Sequence, residues 1–199
     1  MSNRVIEYRA FSSALTKNAE AKKIGGYAAL YSVRSSYIGF YEVIEPGAFD
    51  NAISKSDIRC LFNHDPNLIL GRTGAGTLAV SVDNKGLYYE VVLPDTSVGE
   101  NVYNAVSRGD VTQSSFGFIV GKDRWYEEIV DGKKAILRSI ITIEELFDVS
   151  PVTYPAYHET SVNTRAAEIN KFIIHSENHL ETDRLRIRKD YLKKIQRYV

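Results

Sequence analysis

The chain has one cysteine, Cys60, so no intrachain disulfide can form and a secreted scaffold held together by disulfides is excluded. It has no net charge either. Lys plus Arg and Asp plus Glu each total 25, which argues against a surface that coats nucleic acid or an anionic membrane as a whole. No apolar run approaches the roughly 18–20 residues that a membrane-spanning helix needs. The opening Met1-Ser2-Asn3-Arg4 leads into mixed polar sequence, not an apolar signal-peptide core. No repeat or low-complexity tract is present. What is there is globular in composition: 199 residues, 44% hydrophobic and 25% charged, enough for one ordinary domain and an appendage. The expectation is a soluble, intracellular protein with one core.

Local pattern predicts many short strands and few helices. Val5 to Phe11, Tyr27 to Val33, Tyr37 to Ile44 and Ile58 to Phe62 are apolar, aromatic or β-branched stretches. Leu78, Val80 and Val82 alternate with polar residues, as do Leu87, Tyr89, Val91 and Leu93, and Asp83-Asn84-Lys85-Gly86 between them predicts a hairpin. Trp125 to Val130 and Ala135 to Ile143, joined by Asp131-Gly132, predict another. Val111 to Val120 and Leu146 to Tyr154 are read as separate strands, the latter broken by Pro151 and Pro155. Residues 48–53 predict a helical turn or two. Ser97-Val98-Gly99-Glu100 fits a capping box for a helix ending before Gly109. From Ala166 the composition shifts to a charged helix. The fold class this implies is α+β and β-rich, a barrel or sandwich with helices packed around it.

The common catalytic signatures are missing. No glycine-rich loop runs into Lys-Ser/Thr, and no spaced glycines follow a first strand. His64, His158, His175 and His179 form no His-Glu-x-x-His pattern, and the helical spacing of His175 and His179 comes without a third metal ligand. Neither cofactor nor metal is implied. Cys60 lies inside an apolar strand and reads as a packed, inert thiol. His64 is placed where a strand runs out at Asn63-His64-Asp65-Pro66, a suitable position for a base.

In Val111 to Val120, side chains alternate faces. Ser114 shares a face with Phe116 and Phe118, which should be core. Ser115 shares the other with Gln113 and Gly117, and points into a space that Gly117 is expected to leave open for a substrate backbone. Glu144, Glu145 and Asp148 supply acids before Val149-Ser150-Pro151. They suit an orienting carboxylate or, in a different class of enzyme, a glycosidase acid–base pair.

Five pieces in order carry a resemblance: Gly26-Tyr27-Ala28-Ala29-Leu30-Tyr31, Ile44-Glu45-Pro46-Gly47-Ala48-Phe49, Leu61-Phe62-Asn63-His64-Asp65 with Leu70-Gly71-Arg72, Gly109-Asp110 leading to Ser115-Phe116-Gly117-Phe118, and Leu146 to Ala156. Residues 24–165 resemble the prohead maturation proteases of tailed bacteriophages, serine peptidases related in fold to the herpesvirus assembly protease. The resemblance implies a herpesvirus-protease-like β-barrel with a few helices. It implies His64 as base, Ser115 as nucleophile and Asp148, where the family usually has Glu, as the acidic third member, with Glu144 and Glu145 left open for that role. It further implies cleavage of scaffold and major capsid protein, and of the protease itself, inside the procapsid in the host cytoplasm.

No specific nucleic acid and no membrane are implied as partners, and homodimer or higher oligomer is left open. The layout expected is an N-terminal segment over 1–24, a protease domain over 25–165 and a charged helical arm over 166–199. A catalytically silent procapsid assembly component is the alternative from another class.

Overall fold

The structure, a computed structural model, describes residues 5–11, 15–19 and 21–154. The chain divides into two units, Met1–His158 and Glu159–Val199, and the described residues belong to the first. The helix expected from Ala166, with His175 and His179, and also His158, lie outside the described residues.

Among the described residues ten strands and two α-helices follow in order: β1 (Glu7–Phe11), β2 (Thr16–Asn18), β3 (Lys23–Leu30), β4 (Tyr41–Ile44), α1 (Asp50–Lys55), β5 (Arg59–Leu61), β6 (Ile69–Arg72), β7 (Leu78–Val82), β8 (Gly86–Val92), α2 (Ser97–Arg108), β9 (Gln113–Val130) and β10 (Lys133–Val152). They form a six-stranded sheet, ordered β1-β9-β10-β5-β6 with β4 also on β10, and a four-stranded sheet ordered β2-β3-β8-β7. This is the β-rich α+β class. No closed barrel is traced among the described residues. The first two strands serve different sheets, since β1 pairs with β9 and β2 with β3.

The largest departure from the sequence pattern is length. The strands expected at 111–120 and 125–130 are one strand, β9, and those at 135–143 and 146–154 are one strand, β10. The two pair antiparallel from Val130–Lys133 to Gln113–Val152, with register shifts between Ile140 and Asp148. These irregularities let one long ribbon bend where local sequence suggested a break. Pro151 does not interrupt β10 because it sits one residue from its end. The turn at the tip is Asp131-Gly132, both with positive φ (50° and 76°), the conformation that favours Asp-Gly in two-residue hairpins. The β7–β8 hairpin forms as patterned, over Asp83–Gly86. Helix α2 starts one residue earlier than the capping-box pattern implies: Thr96, not Ser97, is the N-cap, its hydroxyl accepting from the Gly99 N–H.

The core lies between the sheets. Phe116 and Phe118 stack at 4.7 Å, and Phe49 from the turn before α1 meets Phe116 edge-on at 5.4 Å. Ile24, Leu87, Tyr89 and Val91 supply the opposing layer.

The N-terminal edge is tied down electrostatically. On β1, Arg9 is buried and binds Glu42 of β4 through Nε and Nη2 (2.6 and 2.9 Å). Arg138 of β10 binds Glu7, Glu42 and Asp123 at 2.7–3.2 Å. Each buried charge therefore has a partner of opposite sign, the condition under which burial is tolerated.

Candidate active site

Register determines which side chains share a face. Across β1, β9 and β10, Ala10 pairs with Ser115 and Ser115 with Ser150, while Tyr8 pairs with Gly117 and Gly117 with Asp148. Paired residues point to the same side of a sheet. Tyr8, Ser115, Gly117, Asp148 and Ser150 therefore line one face, and Arg9, Phe116 and Phe118 the other. Ser114 is turned into the core, where its hydroxyl is 2.9 Å from the Tyr89 hydroxyl.

His64 reaches this face from the connection between β5 and β6. Strand β5 lies parallel to β10, with Arg59 beside Asp148 and Cys60 beside Val149. It aims the following residues back over β9. The His64 ring then bridges two strands: Nε2 is 2.6 Å from Ser115 Oγ and Nδ1 is 2.5 Å from Asp148 Oδ1. Ser150 donates its hydroxyl to the same carboxylate oxygen at 2.5 Å. The Tyr8 ring packs on the imidazole with centroids 4.4 Å apart.

The group is shielded from solvent. Ser115 is wholly buried, and the His64 and Asp148 side chains are only 6% and 5% exposed. Hydrogen bonds in such surroundings are stronger than in water.

Three of the sequence candidates thus come together, and the others do not. Glu144 is exposed and Glu145 half-buried, further back along β10, where Glu145 pairs with Ile119. The Cys60 thiol is fully buried, and burial, with the charge of Asp148 adding to it, pushes its pKa well above the ordinary thiol range. A thiolate nucleophile is disfavoured there. Among the described residues no group of three or more His, Cys, Asp or Glu side chains is placed to hold a metal ion.

One expectation needs correction. The volume beside Gly117 is not open. A Cβ there would lie 2.6 Å from Asp148 Oδ2 and 2.8 Å from Tyr8 Cε1. Glycine is needed so that the carboxylate and the tyrosine ring fit, not to admit a peptide. Tyr8, Asn63 and Ser150, to which the sequence pattern assigns no role, are all in contact with the three or adjacent to them. Ser150 had a signal, since it is two residues from Asp148 on a strand and must share its face. Tyr8 had none.

A hydroxyl, an imidazole bonded through both nitrogens and a carboxylate, on a β-rich frame, are the parts of a serine hydrolase. A family model described as caudovirus prohead serine protease matches residues 9–173, and the chain belongs to that family. It is a serine endopeptidase of capsid maturation. Neither the comparison with curated proteins nor that with solved structures gave a match.

Proposed function

We propose that Ser115 is the nucleophile, His64 the general base and acid, and Asp148 the orienting carboxylate. The observation that carries this reading is the His64 ring, hydrogen-bonded to Ser115 at Nε2 and to Asp148 at Nδ1. Nε2 takes the Ser115 proton as Oγ bonds to the peptide carbonyl carbon. The imidazolium then returns that proton to the departing amine as the C–N bond breaks, leaving an acyl-enzyme. Water, deprotonated by the same nitrogen, adds to the ester carbonyl and releases Ser115. Asp148 keeps Nδ1 protonated and stabilises the positive ring as it forms, and Ser150 fixes the carboxylate. Because Ser115 is wholly buried, a peptide reaches Oγ only when the side chains that cover it move.

The substrates that suit a prohead protease are the scaffold and major capsid protein inside the procapsid in the host cytoplasm, and the protease itself. Among the described residues no helix is long and apolar enough to cross a membrane. A fold related to the herpesvirus assembly protease is part of the same reading, as is the division into a protease domain and a removable arm over 166–199.

The test is digestion of purified shell protein by the chain and by Ser115→Ala. Cleavage by the first alone supports the assignment. Equal cleavage by both removes Ser115, and cleavage by neither favours a catalytically silent assembly role.

A further inference from the structure

We propose that Asn63 is a positioning residue for catalysis, holding the His64 backbone in a left-handed turn and locking that turn to the end of the strand that carries Asp148. The inference rests on the reading of His64 and Ser115 given above.

Residues Phe62 to Asp65 form a turn closed by the Asp65 N–H to the Phe62 carbonyl at 3.1 Å. Both central residues have positive φ, 55° at Asn63 and 59° at His64. This is the signature of a type I′ turn, which favours Asn at the first central position and glycine at the second. Here the second is histidine, a residue that enters the left-handed region only when its surroundings demand it.

The demand comes from Asn63. Its backbone N–H donates to the Pro151 carbonyl at 3.1 Å. Its side-chain Oδ1 accepts from the Thr153 N–H at 2.8 Å, and its Nδ2 donates to Thr153 Oγ1 at 3.3 Å. Three bonds thus fasten the turn to residues 151–153, immediately beyond Asp148 and Ser150. The two partners of the imidazole lie 51 and 84 residues away in sequence, so the ring has no local means of finding them. Free rotation of the turn would break both bonds at once. Asn is suited to the task because it tolerates a left-handed backbone while its amide offers a donor and an acceptor.

The variant that separates the clamp from the turn is Asn63→Gly. Glycine keeps positive φ without strain and removes both side-chain bonds. The rate at which a fluorophosphonate labels Ser115 is expected to fall about 10–100-fold, the scale of roughly ångström misplacement of a catalytic group. The melting curve should stay cooperative. The low-field NMR resonance of the His64 Nδ1 proton should broaden or shift upfield. Asn63→Asp, which keeps the acceptor for Thr153, should recover most of the rate.

A labelling rate and a proton resonance in Asn63→Gly equal to the parent's overturn the clamp while leaving the nucleophile assignment intact. Labelling of the parent at a residue other than Ser115 overturns both readings. If Asn63→Gly does not fold, Thr153→Pro removes the same N–H from the other side. A parent-like rate there overturns the proposal, and a comparable loss supports it.

Discussion

Gly117 and Asp148 face each other across β9 and β10, and the Asp148 carboxylate lies where a side chain on residue 117 would begin. The pairing gives a demanding test of the site. Gly117→Ala places a methyl group against Asp148 Oδ2 and the Tyr8 ring. Overpacking of this kind costs about 1–3 kcal/mol. Displacement of the carboxylate from His64 should lower peptide cleavage by about 100-fold in a protein that still melts cooperatively. Unchanged turnover in Gly117→Ala would show that Asp148 need not stand where it does.

Ser115 and Ser114 differ in kind. Ser115→Ala should retain the fold and lower cleavage by roughly three or more orders of magnitude, since only binding and oxyanion donors remain. Ser114→Ala strands the buried Tyr89 hydroxyl and should cost about 1–3 kcal/mol of stability with cleavage retained. Mass spectrometry of a fluorophosphonate adduct checks both, because an adduct on Ser114 would put the strand register out by one residue.

Acid should loosen the N-terminal edge. Burial alone would raise the Glu7 pKa, but the charge of Arg9, then the hydrogen bond and charge of Arg138, outweigh it and leave it below the ordinary carboxylate value. A group with a depressed folded-state pKa contributes stability above its unfolded value, about 4.3 for Glu, and loses that contribution as pH falls through the folded one. Urea denaturation at neutral pH and at about pH 3 should therefore show a smaller acid-induced loss in Glu7→Gln than in the parent. An identical loss in both would exclude Glu7 as a source of acid sensitivity.

The neighbouring arginine should matter more. Arg138→Met leaves Glu7, Glu42 and Asp123 without a shared cation. Breaking one side of a buried ion-pair cluster costs about 3–5 kcal/mol. A drop below about 1 kcal/mol in denaturation would mean that Arg9 alone neutralises the cluster.

Catalysis should fail on acidification for a separate reason. A base that must accept the Ser115 proton has to be neutral, so kcat/KM is expected to decline with a slope of one proton on the acid side. Full activity at roughly pH 4 would remove His64 from that role.

What could be read from sequence was what is local. Alternation separated Ser114 from Ser115, Asp131-Gly132 marked a tight turn, and Asn63-His64-Asp65-Pro66 marked the end of a strand. What could not be read depends on partners far away in the chain. Trp125 to Val130 and Val111 to Val120 look like two strands until β10 is laid beside them. Gly117 looks like an opening until Tyr8 and Asp148 converge on it from two other strands. Asn63 looks like an ordinary loop residue, because nothing in its neighbours reveals the left-handed backbone or the bonds to Thr153.

The placement of His64 on a turn, and of Ser115 and Asp148 on two neighbouring strands, also has a kinetic side. β5 is held by β10, β10 by β9, and β1 closes the far edge, so these three side chains meet only through contacts distant in sequence. Such contacts form late, because loop closure costs entropy before pairing repays it. During synthesis, Asp148 and the segment that secures Asn63 emerge after every other part of the ribbon. A nascent chain can therefore hold Ser115 and His64 with neither oriented, and it should acquire hydrolytic power abruptly, when the final strand docks.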